Sequence, residues 1–413
     1  IPPALVKTHI IPWISQPQMA VHLTCYASEG GIPLYVRSFG NVNKIPFPLL
    51  ATLNGAYVFG KSFEVMLESS STSNQVISWK EYLGSITLIL VASNNPFTVD
   101  QTKIAVRLLD FVYYTMIMFV GKDEIMELKT EVEKLKKRLR PSFKMIDHLI
   151  QAFYLNLDIG ICSDITLLPD VLIHPDSSTL QNLLDNFVPK CDTLYGCVLT
   201  QGRVTVITKS WGQLTGAEMA LLGLYVALYH DVTAQDLPIY LPDKSPQVPL
   251  RLVIISLTSK VTLCLLCSSL PSLAQVLETA TPYWAPSYDS VLILHGLIPK
   301  FIPDSLEIDD GVLGCIVVNE ELKRSFSYFA ANDSRAKESN KLLRTFVVSM
   351  HRVTMESTKE VYISTDQYKC YGMIALPYCV YSLFKLSTPN YALRAVSMNT
   401  LGSFTKGCKH KIL

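Results

Sequence analysis

Residues 195–200 read Tyr-Gly-Cys-Val-Leu-Thr and residues 203–207 read Arg-Val-Thr-Val-Ile, with Gln201 and Gly202 between them. Two runs of strand-forming residues around a two-residue turn that contains glycine predict a β-hairpin. The same pattern recurs on either side of this stretch, at 20–25 with 32–37 and at 314–318 with 323–329. Each hairpin is followed by a helical stretch, further strands and a closing helix. The sequence therefore predicts three copies of one small α/β module.

The closing step of the module is repeated as well. An apolar strand precedes a helix three times, with the strands at 85–91, 261–266 and 379–384 and the helices at 98–120, 272–277 and 391–396. The copies share this pattern and no catalytic residue, so the repetition describes architecture. A chain of 413 residues also fits about three domains of ~100–200 residues each.

The domain limits are placed where the pattern restarts. Residues 1–17 contain several prolines and no periodicity, which predicts a flexible N-terminal extension. The three modules then occupy residues 18–155, 156–279 and 280–413. We interpret the proline-containing segment 280–286 as the linker that opens the third module.

The composition favours a protein with much apolar surface to bury. Charged residues make up 17% of the chain and hydrophobic residues 49%, which fits either a partner-covered surface or large cores. The formal net charge of +1 gives no general field that attracts nucleic acid, so no nucleic-acid partner is expected. The longest apolar window, 104–120, contains Arg107 and Asp110 and is too short and too charged to span a bilayer.

The polar residues do not form a recognisable catalytic or metal site. Ten cysteines without a secretory signal fit a reducing cytosol. Cys264 and Cys267 form a C-x-x-C inside a strand pattern, where residues three apart point to opposite faces, and this favours core positions. The patterns H-E-x-x-H, G-x-S-x-G and G-x-G-x-x-G are absent from the sequence. We predict no catalytic residue, no metal and no cofactor.

One short motif matches a nucleotide-binding pattern. Residues 55–62, Gly-Ala-Tyr-Val-Phe-Gly-Lys-Ser, fit G-x-x-x-x-G-K-[ST], in which backbone N–H groups and the Lys hold phosphates. That mechanism needs a strand before the loop and a helix after it. Here residues 46–59 have helical periodicity and residues 63–67 alternate like a strand, so the order is reversed. We interpret the motif as a helix end that stops at Gly60.

The same helix lacks a charged face. At ~100° per residue, one side carries Leu49, Leu50, Leu53, Ala56, Tyr57 and Gly60, and the opposite side carries Phe47, Ala51, Asn54, Gly55 and Val58. A helix without a polar side needs to be covered on both sides. Two explanations fit the second side: neighbouring modules of this chain cover it, or a partner subunit does.

A basic cluster lies in the predicted helix 122–140, just before Pro141, which is expected to interrupt it. The cluster consists of Lys134, Lys136, Lys137, Arg138 and Arg140. Each charge near an anionic lipid surface contributes up to ~1 kcal/mol of binding free energy. The alternative, which the sequence favours, is a solvated helix face whose charges pair with Glu127, Glu131 and Glu133.

Several segments closely resemble the tri-longin effectors of planar cell polarity. The likeness follows nearly the whole chain in order and weakens in the third module. The residues that carry it are Leu53–Gly60, Glu64–Val65, Trp79–Lys80, Ser85–Ile89, Leu135–Arg140, Ile239–Pro242 and Val248–Leu252.

The resemblance implies a fold, partners and a location. The fold is three longin domains, each a mainly antiparallel sheet flanked by helices. The implied partners are a tri-longin subunit of the Inturned type, a Rab-family small GTPase and a WD-repeat planar polarity effector. The expected location is cytoplasmic and peripheral, at the apical cortex or the basal body of the cilium.

The resemblance also implies an activity. The pair resembles the tri-longin Rab exchange factors, in which two longin domains grip the GTPase switch regions and speed GDP release. The alternative is a non-catalytic scaffold that recruits a small GTPase to a ciliogenesis and planar polarity complex. In longin pairs the helix at 46–60 and the next strand commonly form the interface, so the expected partner-binding residues are Phe47, Ala51, Asn54, Gly55, Val58 and Val65.

Overall fold

The computed structural model describes residues 20–28, 31–40, 45–93, 101–155, 168–174, 177–229, 233–298, 302–303, 306–322, 324–330, 338–340, 342–347, 350 and 359–407. The predicted extension 1–17 lies outside the described residues. None of the described helices is long and apolar enough to span a membrane.

The described chain contains three antiparallel five-stranded sheets that share one strand order. The first sheet is β2-β1-β5-β4-β3, with β1 Val21–Ala27, β2 Pro33–Phe39, β3 Ser69–Ser71, β4 Gln75–Tyr82 and β5 Ile86–Ser93. The second is β7-β6-β10-β9-β8, with β6 Tyr195–Thr200, β7 Arg203–Ile207, β8 Ala234–Leu241, β9 Ser245–Ser256 and β10 Val261–Cys267. The third is β12-β11-β15-β14-β13, with β11 Val312–Asn319, β12 Arg324–Phe329, β13 Glu360–Ser364, β14 Tyr368–Ala375 and β15 Tyr378–Lys385.

The helices repeat in the same way. Those found in the described residues are α1 Phe47–Ser62, α2 Gln101–Val120, α3 Lys122–Glu127, α4 Val132–Leu139, α5 Phe143–Leu155, α6 Ser177–Phe187, α7 Gly216–Leu228, α8 Leu273–Trp284, α9 Tyr288–Gly296 and α10 Leu393–Gly407. A helix follows the second strand of each sheet, as α1, as α7 and as the helical residues 338–340, 342–347 and 350. Another follows each fifth strand, as α2, α8 and α10. The predicted triplication is confirmed.

The hairpins are local structures and agree with the prediction almost residue for residue. In the second one, β6 and β7 have the predicted limits, and Gln201 and Gly202 take φ values of 49° and 82°. Positive φ at both central residues gives the turn a twist that matches its flanking strands. This turn fixes the register that pairs Thr200 with Arg203.

Four local predictions were wrong. Residues 63–67 are a turn and an extended segment, and the third strand is Ser69–Ser71. Helix α1 continues past Gly60 to Ser62. The stretch 122–140 is divided into α3, a 3-10 turn at Leu128–Thr130 and α4, although Pro141 does end the last of these pieces as expected.

The fourth is the predicted linker. Residues 280–286 are helical, because α8 runs through Pro282 to Trp284 and a 3-10 turn follows. Ala280 and Trp284 are buried in the core of the second sheet, together with Val291 and Leu294 of α9. Apolar packing on the sheet therefore outweighs the proline signal. The limits 18–155, 156–279 and 280–413 stay predictions, and the one at 279 falls within α8.

The described residues divide into two compact units. One contains the first sheet with its helices and also the segment Ile239–Pro249; the other contains the rest of the second sheet and the third sheet. In the first unit, the Tyr114 hydroxyl donates to Asp243 Oδ1 at 3.1 Å. Gly121 has a φ of 88°, and a Cβ at this position would lie 2.7 Å from ring carbons of Tyr240. Only glycine fits this contact without strain.

In the other unit, a short segment joins the edge strands of two sheets. Asp170 forms a parallel bridge with Ser325 of β12, and Val171 forms one with Val204 of β7. The Val171 N–H donates to the Ser325 carbonyl at 2.8 Å, and the Val204 N–H donates to the Asp170 carbonyl at 2.8 Å. The outward backbone groups of Val204 and Ser325, one residue on each edge strand, are thereby paired.

One side chain reinforces this junction. The Arg203 guanidinium lies 3.3 Å from Asp170 Oδ2 and donates to the Ser327 carbonyl at 2.9 Å and to Ser327 Oγ at 3.0 Å. Ser327 Oγ in turn donates to Asp170 Oδ2 at 2.8 Å. Burial lowers the pKa of Arg203, and the Asp170 carboxylate opposes that shift. The ion pair therefore stabilises the charge of a half-buried guanidinium between the second and third sheets.

We expect Arg203→Ala to lower the free energy of unfolding of this unit by about 3 kcal/mol, because the half-buried Asp170 carboxylate and the Ser327 carbonyl both lose the guanidinium that joins them. The matched control is Arg394→Ala, which removes an ion pair of 3.1 Å with Glu360 in the same unit. The Arg394 side chain is 71% exposed, against 15% for Arg203, so its loss is expected to cost less than about 1 kcal/mol. Urea unfolding followed by circular dichroism measures both losses. Equal, small losses in the two variants would show that the junction is not stabilised by its ion pair.

Candidate partner-binding surface

Helix α1 packs on the first sheet through one apolar stripe. Leu50 and Tyr57 are buried and Leu53 is half-buried, at positions three and four residues apart. Tyr57 belongs to a cluster with Tyr26, Trp79 and Ile89 of the sheet. The Trp79 indole N–H donates to the Leu53 carbonyl at 3.2 Å, so a side chain of β4 holds the middle of the helix.

An ion pair fixes the C-terminal end of α1. Lys61 Nζ donates to both carboxylate oxygens of Glu81, at 2.7 and 2.8 Å, and the Tyr57 hydroxyl donates to Glu81 Oε2 at 3.3 Å. Glu81 is nearly buried, with 8% of its side chain exposed. Burial, together with the Glu81 carboxylate, raises the pKa of Tyr57 to about 12. The end of the helix is thus tied to strand β4.

These contacts confirm the structural interpretation of the motif Gly55–Ser62. All eight residues lie inside α1, so the motif forms no open loop after a strand. The ammonium group that a phosphate would need is held by Glu81. A nucleotide would have to unwind the last turns of the helix and break this pair.

The chain turns back sharply after α1. The N–H groups of Phe63 and Val65 both donate to the Gly60 carbonyl at 2.9 Å, and Glu64 takes a φ of 60°. A Cβ at Gly60 would lie 3.0 Å from the Val65 carbonyl oxygen, so the close return favours glycine there. The turn places the rings of Phe59 and Phe63 4.9 Å apart.

The side of α1 away from the sheet is apolar and exposed. Its helix residues Phe47, Val58 and Phe59, and the following residues Phe63, Val65 and Met66, each expose between 49% and 68% of their surface. Ala51 and Gly55 are exposed between them. We call these eight residues the α1 surface. Exposed apolar patches of this kind mark interaction sites more often than scattered single residues do.

The α1 surface contains most of the predicted partner-binding residues. Phe47, Ala51, Gly55 and Val58 lie together on the exposed side, whereas Asn54 is half-buried at its border. Val65 is exposed in the turn and is not in a strand. The sequence analysis missed Phe59, Phe63 and Met66 because their exposure depends on the turn at Gly60.

Strand β3 begins three residues after Met66 and forms an edge of the first sheet. All three of its residues, Ser69, Ser70 and Ser71, are exposed. Among the described residues, no strand pairs with its outer side. Within the part of the chain that the structure describes, the outward N–H and C=O groups of β3 are therefore available to another strand.

Two family models match this chain. One, described as the first longin domain of FUZ, MON1 and HPS1, matches residues 21–149, and the other, the second longin domain of the same proteins, matches residues 191–285. The Protein fuzzy homolog of Xenopus tropicalis is 30% identical over 94% of this chain and 98% of its own length. The human Protein fuzzy homolog is 31% identical over 93% of this chain and 97% of its own length. The chain belongs to the Fuzzy family.

The two matched regions place longin domains of the Fuzzy family on the first and second sheets. The third sheet has the same strand order and the same helix positions, so it is a third longin-like module. The α1 surface lies inside the region matched as the first longin domain.

The basic cluster of this Fuzzy-family chain is partly neutralised. Arg138 pairs with Glu124 through two contacts of 2.6 Å, and Lys134 pairs with Glu131 at 3.3 Å. Of the five predicted residues, which lie on α4 and the turn after it, only Lys136 is half-buried. The other four are exposed: Lys134, Lys137, Arg138 and Arg140. The expected pairing with acidic residues is confirmed for Glu131, and Glu124 is a partner that helical spacing did not indicate.

The Fuzzy-family sheets also bury the cysteines of the C-x-x-C. Cys264 and Cys267 are buried in β10, and Cys264 lies opposite Cys197 of β6. Burial raises the pKa of Cys264 far above its ordinary value and that of Cys267 to about 11. Both thiols therefore stay protonated and behave as core residues. Among the residues that the structure describes, no group of three or more His, Cys, Asp or Glu side chains is placed to hold a metal ion.

We predict that this Fuzzy-family chain binds neither ATP nor GTP and that Lys61→Ala does not change this result, because Lys61 belongs to the helix end and not to a phosphate loop. Isothermal titration calorimetry of both proteins with each nucleotide in the presence of Mg²⁺ measures the binding. A binding signal that Lys61→Ala abolishes would contradict the structural interpretation.

Proposed function

We propose that this chain is one half of a Rab guanine-nucleotide exchange factor, paired with a longin subunit of the Inturned type. The observation that carries the proposal is the exposed, uncharged α1 surface beside the free edge of β3. Exposing an apolar surface of this kind to water costs free energy, and permanent protein interfaces have a similar apolar composition. The chain belongs to the Fuzzy family, and that family resembles the tri-longin exchange factors. Both points support a longin domain as the proposed partner.

The proposed pairing has a simple geometry. Ala51 and Gly55 are the small residues at the centre of the α1 surface and allow another helix to approach closely, while Phe47, Val58 and Phe59 surround them. The edge of β3 can extend its sheet into that of the partner. The partner is expected to present a matching apolar helix, since the α1 surface offers no charge for a salt bridge.

The proposed mechanism depends on binding surfaces and not on a catalytic side chain. A composite surface of two longin domains would hold the GTPase with its switch regions displaced from the nucleotide, which weakens the coordination of Mg²⁺ and the phosphates. GDP then leaves faster because the exchange factor binds the nucleotide-free state more tightly than the GDP-bound state. One subunit supplies half of that surface.

We also propose a place for the complex in the cell. The cytoplasmic face of membranes at the apical cortex or the basal body is anionic. Lys136, Lys137 and Arg140 can approach such a surface, and each would contribute up to ~1 kcal/mol of binding free energy. A WD-repeat effector would bind the same assembly elsewhere. In the scaffold alternative these contacts recruit a GTPase without exchanging its nucleotide.

The activity test compares the chain with its heterodimer. We expect this chain alone to leave the rate of GDP release from Rab proteins unchanged and the heterodimer to raise it by at least about tenfold. Release of a fluorescent GDP analogue, measured over a panel of Rab proteins, gives the rates. Exchange by the isolated chain would contradict the two-subunit mechanism, and a heterodimer inactive on every Rab protein would favour the scaffold.

The interface test uses Val58→Asp. We expect this variant to lose binding of the Inturned-type subunit by several kcal/mol, because the carboxylate would be buried without a partner. Val58 is exposed, so the variant should fold with an unchanged circular dichroism spectrum and melting temperature. Gln151→Asp, at an exposed position of α5 in the same unit and outside the α1 surface, is the control that adds a carboxylate. Copurification of Val58→Asp at the wild-type yield would show that α1 is not the interface.

A further inference from the structure

The edge strand beside the α1 surface is a run of hydroxyl residues. Residues 69–73 read Ser-Ser-Ser-Thr-Ser, and the three residues of β3 are all exposed. Small polar side chains on a free edge leave the backbone groups open to an added strand. They also present hydroxyl groups on both sides of the sheet.

The register of β3 separates these hydroxyls into two faces. Ser70 lies opposite Ile77 of β4, while Ser69 lies opposite Ser78. Ile77 packs against the cluster that holds Tyr57 of α1. Because directly opposed residues share a face of the sheet, Ser70 is on the same face as α1 and Ser69 is on the other face.

The charged residues nearest to Ser70 in the sequence, Glu64 and Glu68, are both acidic. Residues 62–79 contain no Lys and no Arg, and they include Glu64 and Glu68, both exposed. A phosphate group orders a segment when it finds cations, and it disrupts an apolar interface when it finds carboxylates. A phosphate on Ser70 would lie on the α1 face of the sheet, within a stretch, 62–79, that contains two carboxylates and no Lys or Arg.

We propose that Ser70 is a phosphorylation site that switches off pairing through the α1 surface; this inference rests on the proposed function. A serine kinase would transfer the γ-phosphoryl group of ATP to Ser70 Oγ. The new O–P bond forms as the bond between the γ-phosphorus and the bridging oxygen breaks, ADP leaves, and the catalytic base of the kinase takes the hydroxyl proton. The product carries almost two negative charges at neutral pH.

The switch acts by desolvation and repulsion. A partner that covers the α1 surface and adds a strand to β3 would have to bury the phosphate without a cation. Phosphate on Ser69 would lie on the opposite face of the same strand. Its charge would stay in water while the partner covers the α1 surface, and this difference makes Ser69 a matched control.

The binding experiment uses full-length chains that carry phosphoserine at a single position, installed during translation. Affinity for the Inturned-type subunit is measured by calorimetry for the unmodified chain, for phosphoserine at 70, for phosphoserine at 69 and for Ser70→Ala. We expect phosphoserine at 70 to weaken binding by about 100-fold or more. The dissociation constants of the other three proteins should agree with one another within about threefold.

Two binding results would overturn the proposal. Wild-type affinity with phosphoserine at 70 would exclude the switch, and equal losses at 69 and 70 would exclude the face-specific mechanism. A failure of the proposed function can be distinguished from these two results. In that case the unmodified chain would not bind the subunit, or Val58→Asp would bind it as tightly as the wild-type chain does.

Occupancy of the site is measured on the native protein. Trypsin cleaves after Lys61 and Lys80, so residues 62–80 form one peptide. Mass spectrometry of the chain from cells that express it should find this peptide phosphorylated at Ser70 in the unpaired fraction and unmodified in the partner-bound fraction. A peptide that is unmodified in both fractions, with phosphatases inhibited, would overturn the assignment.

Discussion

The backbone edges of its sheets are the constraint on which this protein depends. Each antiparallel five-stranded sheet leaves two outer strands with N–H and C=O groups that need partners. The second and third sheets meet this need at β7 and β12 through the segment that contains Asp170 and Val171. Arg203 adds charge-assisted hydrogen bonds across the same junction. Two longin-like modules thereby share one continuous set of backbone hydrogen bonds.

The edge of the first sheet at β3 differs from these two edges, because no described segment pairs with its outer side. This strand has only three residues, which limits unspecific pairing. It carries no charge, no proline and no bulge that would exclude another strand. Among the described residues, no strand pairs with its outer side and the apolar side of α1, which precedes β3 in the chain, is exposed. A single partner that brings a helix and a strand would satisfy both needs at once.

The sequence predicted what is local and periodic. The three hairpins, the strand-to-helix steps and the uncharged side of α1 follow from alternation, turn residues and helical spacing. The third strand was misplaced because Phe63-Glu64-Val65-Met66-Leu67 alternates as a strand would, while the turn at Gly60 decides its path. The pairing of Arg138 with Glu124 was missed since the two residues lie on different helices. Contacts between distant parts of the chain, such as Tyr240 at Gly121, leave no periodic signal.

The motif Gly55–Ser62 shows why context decides chemistry. A phosphate loop binds through backbone N–H groups that the loop leaves free, whereas in α1 the residues with the same letters are part of a helix that packs on the sheet. Lys61 has a carboxylate partner, and Tyr57 fills space with its ring against Trp79. The same helix offers its other side to solvent without a charge. The residues that match a nucleotide-binding pattern thus form a helix that packs on the sheet, and the exposed apolar side chains Val58 and Phe59 occupy positions that the motif leaves unspecified.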